Sequence, residues 1–367
     1  MDFDAFNPPE VAKDFQAAWK RLQDTAGHDV VWTPRSEGHW IALRGKPITD
    51  VFQHPETFSS RIFLMPRSIG EQHKMLPTSL DPPQHGKFRA IINPAFSSKR
   101  IQALEEQIRR IAVDLIQQVR LEGRCNFTTA FAERFPVRVF LAMVNLPESD
   151  APRLKHLSDQ LIRPDGSMTY PQIMQAFDDY MTPHIEERRE NPGQDFLSDM
   201  VNATVDGRPL TADERMNLTT QVMIAGLDTV VNFLGFLMQH LARNPDDRRL
   251  LDANPSLLPA AVDEFMRRFG LVSICRLVTR DVEFHGVQLK KDELILLPSM
   301  LHGLDERVNA NPMSVDFHRL GHRHSSFGQG PHHCVGRHLA RTELQITIRE
   351  WLAHIPDFEI PDRKSVV

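Results

Sequence analysis

The sequence predicts a mainly helical fold with a small β region, folded as a single domain over residues 1–367. Apolar residues recur every three or four positions, the spacing of an amphipathic helix, in segments 101–120, 170–190, 259–269 and 337–355. Strand-like runs are few and short. No repeat, low-complexity run or long Gly/Ser/Pro linker divides the chain, which favours one domain.

Three segments have the composition of β-strands, namely residues 39–43, 282–289 and 293–298. Three polar residues, at positions 290–292, separate the last two segments. We therefore expect these two segments to pair as a hairpin whose turn lies at 290–292.

The longest helical pattern begins at a capping box formed by Thr211 and Glu214 and continues to about residue 243. Such a helix is about 50 Å long. Its middle, residues 222–238, is apolar nearly all round, so we expect it to cross the interior. Asp228 and Thr229 are polar exceptions there. Taken alone, such a pair more often has a structural role. The threonine hydroxyl then bonds to the backbone carbonyl one turn back, and the aspartate forms a salt bridge.

The composition is that of an ordinary globular protein, with 41% apolar and 25% charged residues and a formal net charge of −5. This charge gives no reason to expect nucleic acid or an anionic membrane as a partner. The start of the chain lacks the features of a secretory leader, and we find no run of about 18 uncharged apolar residues such as a membrane span needs. We therefore expect a cytoplasmic protein.

Three scattered cysteines, Cys125, Cys275 and Cys334, are too few and too far apart for a disulfide framework. A buried structural role is the usual interpretation of a lone cysteine, and we assign it to Cys125 and Cys275. Cys334 differs because glycines at 328, 330 and 336 surround it and an amphipathic helix follows. These glycines permit a tight turn that directs backbone N–H groups at the sulfur, and the helix start adds positive potential, so a thiolate is favoured.

The segment 327–336 matches the pattern Phe-x-x-Gly-x-x-x-Cys-x-Gly at every fixed position. It resembles the haem-binding signature of the cytochrome P-450 superfamily. The resemblance implies a triangular, mainly helical fold in which haem b lies between the long central helix and the cysteine loop. Cys334 would be the axial ligand of the iron, with Phe327 against the cofactor.

Two further motifs fall in the order that this family requires. Glu264 and Arg267 share one helix face, and Arg319 resembles the third member of the family's buried charged triad, a structural role. Residues 225–229 resemble its oxygen-binding kink, with Gly226 beside the cofactor, Thr229 bonded to the Ala225 carbonyl and Asp228 relaying protons. Catalysis is therefore assigned to Asp228 and Thr229.

Cationic partners for the haem propionates are indicated by the family pattern Asp-Pro-Pro-x-His-x-x-x-Arg, which is complete at residues 81–89. It places His85 and Arg89 one turn apart on one helix face. Arg276 and His332 match two further propionate-binding positions, although a lone Arg or His is ordinarily a surface residue.

Longer shared stretches, at 163–168, 226–233 and 283–291, are similar to those of the bacterial camphor 5-monooxygenase subfamily. This similarity implies electrons supplied by a two-iron two-sulfur ferredoxin and its NADH-dependent reductase, with O2 and a small apolar substrate. We expect a monomer. The similarity also implies that Lys155 and Arg163 hold Asp228 until proton transfer is needed.

The substrate pocket is where the sequence departs from that subfamily. His73 replaces the tyrosine that binds the camphor ketone, while Leu64, Met75, Ile162 and Ile274 replace residues of other size or polarity. An adaptable apolar pocket is expected, with an ionone-type norisoprenoid favoured over camphor. A loop histidine without a ligand role is an equally good interpretation of His73. The remaining positions assigned to this pocket are Thr78, Ile224 and Val272.

Other functions stay open at this point. A haem-thiolate peroxygenase or isomerase would take no electrons from a ferredoxin, but such enzymes commonly lack the acid and alcohol found at 228 and 229. A haem-based sensor would bind ligands without turnover. A non-haem enzyme with Cys334 as nucleophile would need a paired base.

Overall fold

The structure is a computed structural model, and it describes residues 1–8 and 14–361. Helices dominate it, and the strands are short. In chain order the elements are α1 (Phe15–Thr25), β1 (Val30–Thr33), β2 (His39–Ala42), α2 (Gly45–Gln53), β3 (Phe58–Ser59), α3 (Arg67–Gly70), α4 (Gln84–Ile92), α5 (Ser98–Glu122), a π-helix (Thr128–Ala132), α6 (Phe135–Val144), a 3-10 turn (Glu148–Asp150), α7 (Ala151–Ile162), α8 (Tyr170–Glu190), α9 (Phe196–Val201), β4 (Thr204–Val205), β5 (Arg208–Pro209), α10 (Ala212–Leu227), α11 (Thr229–Arg243), α12 (Pro245–Ala253), a 3-10 turn (Pro255–Leu257), α13 (Leu258–Arg268), β6 (Ser273–Val278), β7 (Val282–Phe284), β8 (Val287–Leu289), β9 (Leu294–Pro298), α14 (Ser299–Gly303), a 3-10 turn (Gly330–His332) and α15 (Arg337–His354).

The mainly helical prediction is confirmed, and four helices, α5, α8, α13 and α15, lie where the periodicity placed them. Local signals set their ends. A capping box between Thr169 and Gln172 begins α8. Gly123, with φ of 68°, ends α5 in the left-handed conformation that glycine adopts without a steric penalty.

The expected hairpin with a turn at 290–292 is wrong. The segment 282–289 is itself a hairpin, in which β7 pairs antiparallel with β8. His285 and Gly286 connect the two strands, and both have positive φ, 48° and 82°, the conformation of the tight turns that join short antiparallel strands. β9 instead pairs with β6 and β2.

Contacts divide the described chain into two compact units. Unit 1 contains residues of Met1–Ala90 and Asp263–Cys334, and unit 2 contains residues of Ile91–Val262 and Val335–Val367. The single domain over residues 1–367 stays a prediction.

Unit 1 is organised around a five-stranded sheet in the order β1-β2-β9-β6-β3. β2 pairs parallel with β9, where Trp40 is opposite Ile295, whereas the other neighbours are antiparallel. One face of α1 and α2 adds to the same apolar core, which includes the fully buried Ile41 and Leu297. Phe52 of this core lies against the cysteine loop, since a Cβ at Gly328 would be 3.6 Å from its ring.

Unit 2 is almost entirely helical, with α5 packed along α15. Beside them, Phe131 of the π-helix stacks on Phe135 with ring centroids 5.1 Å apart, and its edge meets Trp351 of α15 at 5.4 Å. Aromatic pairs in these geometries contribute beyond the area that they bury.

The long helix predicted from residue 211 is interrupted once. α10 ends at Leu227, α11 begins at Thr229, and Asp228 has φ of −131° and ψ of −35°. Within the described residues, Ala212–Arg243 is the one helical segment apolar and long enough to span a membrane by composition alone, although Asp228 divides it, so it contains no uncharged run of about 18 residues. Half of its most apolar window is buried within the protein, as in a core helix.

Candidate functional site

The cysteine loop of unit 1 is closed by backbone hydrogen bonds. The Cys334 amide donates to the Phe327 carbonyl at 2.8 Å, and the Gly328 amide donates to the Ser325 carbonyl at 2.8 Å. Gly330 lies so close to α2 that a Cβ there would be 2.3 Å from the Phe52 carbonyl oxygen. The loop therefore has one compact arrangement, which no residue larger than glycine at 330 would allow.

A cluster of basic side chains lies beside this loop in unit 1. The rings of His85 and His332 are 4.0 Å apart between centroids. Arg89 donates to the His333 carbonyl at 2.9 Å. Arg276 is 3% exposed and donates to the carbonyl of Cys275, its neighbour in sequence.

The charges of this cluster are poorly balanced. Burial, with the positive charges of Arg89 and Arg276, lowers the pKa of His85 to about 4. Burial and the same neighbours lower the pKa of His332 to about 2. The nearby carboxylate, Asp81, already accepts from Ser59 Oγ and the Ser60 amide. His85 Nε2 is buried without a hydrogen-bond partner in the described structure, so the cluster is suited to an additional anion.

Three charged residues form a buried group elsewhere in unit 1. Arg267 donates to both carboxylate oxygens of Glu264, at 2.7 and 2.8 Å, and both residues are 0% exposed. Arg319 donates to the same carboxylate at 3.0 Å. Arg267 also donates to three backbone carbonyls, those of Gly303, Pro312 and Ser314. The structure thus brings together the three residues of the predicted triad and ties them to the segment 303–319.

In unit 2, both carboxylate oxygens of Asp228 are occupied. Arg163 donates to Oδ1 at 2.6 Å, and the side-chain Nδ2 of Asn232 donates to Oδ2. Asp159 accepts a second bond from Arg163 at 2.7 Å. Burial opposes the charge of Arg163, but the bonds to Asp228 and Asp159 outweigh it and raise the pKa of the guanidinium.

Lys155 does not hold Asp228 as expected. Its ammonium group pairs with Asp159, one turn along α7, and lies 3.8 Å from Glu133. The reason is proximity, because residues four apart on a helix are neighbours. Lys155 reaches Asp228 only indirectly, through Asp159 and Arg163.

Thr229 is exposed at the start of α11, one turn from the exposed Ala225. The expected bond from its hydroxyl to the Ala225 carbonyl is not among the hydrogen bonds of the described residues, and the backbone of Asp228 interrupts the helix instead. Gly226 lies against Phe140 of α6, since a Cβ there would be 2.6 Å from the ring. Gly226 therefore has a packing role that the sequence did not indicate.

Comparison with known proteins decides the family. The cytochrome P450 family model matches residues 137–251 and 253–360. The chain belongs to the cytochrome P450 family. A relative described as probable cytochrome P450 127A1, from Sinorhizobium fredii, is 35% identical over 98% of this chain and 89% of its own length. Cytochrome P450-terp from a Pseudomonas species is 30% identical over 94% of this chain and 87% of its own.

Solved P450 structures agree with this assignment. The crystal structure of CYP101J2 has a TM-score of 0.91 and 43% identity, covering 98% of this chain and 91% of that one. CYP101C1 has a TM-score of 0.91 and 40% identity, covering 99% and 92%. The P450 fold, the haem cofactor and monooxygenase activity predicted from the sequence are thereby confirmed.

The residues of this P450 fit a haem. The cysteine loop offers one sulfur, and the basic cluster with its partnerless His85 Nε2 suits the two propionates. His85, Arg89, Arg276 and His332 would hold the carboxylates, and Cys334 would hold the iron.

The residues assigned to the substrate pocket are divided between the two units, and they differ in solvent exposure. In unit 1, His73 and Met75 are buried, and the other four, Leu64, Thr78, Val272 and Ile274, are half-buried. The His73 ring meets Phe63 edge to face at 5.0 Å. In unit 2, Ile224 is buried, whereas Ile162 is 45% exposed.

Three contributors were missed. Asp159 and Asn232 both bind the Asp228–Arg163 pair, and Asp81 supplies a carboxylate whose charge favours protonation of His85 in the basic cluster. Asn232 lies four residues after Asp228, a spacing that could have indicated the contact. Asp81 is the first residue of the motif at 81–89, but its bonds to Ser59 and Ser60 form only in the folded protein, so its role could not be predicted from the motif.

Proposed function

We propose that this P450 hydroxylates a small apolar terpenoid or norisoprenoid, with Cys334 as the axial ligand of its haem iron. The observation that carries the ligand assignment is the closed loop, in which the Cys334 amide bonds to the Phe327 carbonyl and glycine is required at 330. When bound, haem supplies O2 activation at an iron to which the thiolate donates electron density.

The spectrum of the reduced, CO-treated protein tests this assignment. Wild type should show the red-shifted Soret band of thiolate ligation, and Cys334→His should lose it. Cys275→Ser is the matched control because Cys275 is buried in β6 and burial raises the pKa of its thiol, so it is a poor thiolate. Persistence of the band in Cys334→His would contradict the proposal.

Asp228 and Thr229 are proposed to manage protons. Asp228 is 4% exposed, and its carboxylate is bound to Arg163, which is itself half-exposed. A carboxylate that exchanges a guanidinium partner for water can carry a proton from solvent to the Thr229 hydroxyl. Arg163 is the gating residue in this scheme, and Lys155 acts through Asp159.

An ionone-type ketone is the proposed substrate class. The pocket positions in unit 1 offer apolar side chains at Leu64, Met75 and Ile274, with His73 as a ring that can donate one hydrogen bond. Larger apolar ligands gain about 25 cal/mol per Å² buried, which can offset an imperfect polar contact. The similarity to cytochrome P450-terp and to two CYP101 structures supports a terpenoid-type substrate, and the choice of an ionone within that class rests on the pocket residues.

Spin-shift titrations test the substrate class. Wild type should bind an ionone more tightly than camphor. His73→Phe keeps the ring contact with Phe63 but removes the donor, so it should weaken ketone binding roughly tenfold while affecting the corresponding hydrocarbon little. Tight and fully coupled camphor oxidation by wild type would contradict the class.

A two-iron two-sulfur ferredoxin with its NADH-dependent reductase is the proposed electron source. Similarity to the CYP101 structures supports it. Turnover in the reconstituted system should require both proteins. If the enzyme forms product from hydrogen peroxide alone and none from NADH with the two proteins, the alternative function of a peroxygenase would be favoured.

A further inference from the structure

A buried polar cluster supports the beginning of the cysteine loop. His302 of α14 is buried, and its Nδ1 lies 2.7 Å from Ser325 Oγ. The side-chain Nε2 of Gln329 donates to the same oxygen at 3.0 Å, and Ser325 is 1% exposed. One hydroxyl therefore connects α14 with both ends of the segment 325–329.

The His302 ring has little freedom to move. A Cβ at Gly45, the first residue of α2, would lie 2.5 Å from its Cδ2. The Gly45 amide donates to Asp305 Oδ2 at 2.9 Å, and Arg44 donates to Asp305 Oδ1 at 3.0 Å. Because these bonds fix the start of α2, the imidazole occupies a rigid slot.

The segment 325–329 controls the backbone around Cys334. The Ser325 carbonyl accepts the Gly328 amide, and the Phe327 carbonyl accepts the Cys334 amide. Ser326 Oγ bonds to the Met266 carbonyl and anchors the segment a second time. A shift of Ser325 would therefore move the carbonyl that holds the cysteine amide.

Burial lowers the pKa of His302 to about 4, although the charge of Asp305 opposes this shift. The ring is accordingly neutral near pH 7. A neutral imidazole can share a hydrogen bond with a serine hydroxyl without placing an unpaired charge in the interior.

We propose that His302 is a positioning residue for Cys334, which acts through Ser325 and Gln329 to hold the turn that presents the sulfur to haem iron. The inference rests on the proposed role of Cys334 as the axial ligand. His302 does not touch the reacting atoms. Its effect is to limit the arrangements of the loop to the one that retains the thiolate bond.

The test compares holoprotein variants. His302→Leu removes the bond to Ser325, Ser325→Ala removes the hydroxyl with little loss of volume, and His302→Asn keeps a polar group near the position of Nδ1. The measurements are the rate at which the reduced CO complex loses its red-shifted Soret band and the rate of haem transfer to excess apomyoglobin. A urea midpoint for each variant reports global stability separately.

We expect His302→Leu and Ser325→Ala to speed both processes roughly threefold to tenfold, the effect of one lost buried hydrogen bond. The double variant should be no faster than the faster single variant, and His302→Asn should restore most of the wild-type rate. Unchanged rates in both single variants, or no rescue by Asn, would overturn the proposal. If wild type never shows the thiolate band, the ligand assignment itself has failed.

Discussion

Gly226 shows how one missing side chain positions a helix. It lies on α10 two residues before the interruption at Asp228, where the Phe140 ring fills the space that a methyl group would need. The approach of α6 to α10 therefore depends on glycine at this position.

Gly226→Ala should lower the free energy of unfolding by about 1–3 kcal/mol, because the added methyl group would lie 2.6 Å from Cδ2 at the edge of the Phe140 ring. Gly235→Ala on α11 is the control. Nothing lies within 4 Å of a Cβ there, so this change should raise stability by up to about 1 kcal/mol. Urea unfolding measures the stability of both variants. Adding Phe140→Leu to Gly226→Ala should restore part of the lost stability. Equal effects of the two alanines would show that the ring contact has no influence.

The Asp228 carboxylate gives a kinetic prediction at the same scale. Asp228→Asn should slow product formation on the order of a hundredfold and increase the solvent isotope effect, because an amide cannot relay a proton. Asp159→Asn removes a partner of Arg163 but leaves Asp228 intact, so its effect should be much smaller. Steady-state turnover of both variants in H2O and D2O tests this prediction. Similar rates in the two variants would argue against a proton relay through Asp228.

Thr229→Ala should leave substrate-induced spectral shifts unchanged while diverting electrons to hydrogen peroxide, because the hydroxyl is the proposed proton donor group at the start of α11. The ratio of product to NADH consumed measures this diversion. Thr220→Ala is the control, since Thr220 is buried on α10 and its hydroxyl lies near Met216 Sδ. Unchanged coupling in Thr229→Ala would remove Thr229 from the mechanism.

At the scale of elements, the charged group on α13 holds the segment 303–319 in place. Arg267 reaches the carbonyls of three residues there while fully buried against Glu264. A guanidinium suits this task because its donors lie in one rigid plane.

Arg267→Leu should destabilise the protein by about 3–5 kcal/mol, because Glu264 would keep a buried negative charge with fewer partners. Arg249→Ala on α12 breaks an exposed ion pair with Asp246 and should change stability by less than about 0.5 kcal/mol. Thermal or urea unfolding of the two holoprotein variants measures this difference in stability. A small effect at Arg267 would mean that the segment is held by other contacts.

Helices were the predictable part of this fold, since a buried stripe repeats every three or four residues wherever a helix covers a core. The hairpin at 282–289 could not be predicted in this way. Its strands are three residues long, too short for an alternation of apolar and polar residues to be recognised, and the turn at His285 and Gly286 is recognised from their positive φ angles. The break at Asp228 was indicated, but its mechanism was misjudged because one side-chain bond was expected where the backbone itself departs from helix. Lys155 was misassigned because a sequence cannot rank two nearby carboxylates.

At the scale of the whole molecule, buried histidines make stability depend on pH. The ordinary pKa of 6.5 applies to His302 in the unfolded chain, and burial lowers it to about 4 in the folded one. As pH falls, the unfolded chain therefore binds the proton first. The contribution of His302 is complete above about pH 6.5 and is lost progressively until about pH 4.

Between pH 7 and pH 5, His302 should account for a loss of about 2 kcal/mol in the free energy of unfolding. His302→Asn cannot titrate, so its loss over this interval should be smaller by that amount. Urea titrations at the two pH values provide the measurement. Identical losses in wild type and variant would show that the imidazole takes up its proton without cost in the folded protein.

The parallel pairing of β2 with β9 has a consequence for synthesis. Trp40 meets Ile295, so the sheet of unit 1 cannot close until most of the chain has left the ribosome. Most residues of unit 2 lie between these strands and emerge before β9, but α15, which packs along α5, emerges only after β9. Early β1 and β2 would meanwhile expose unpaired edges, and a chaperone that shields such edges should raise the yield of active enzyme more than one that acts after release.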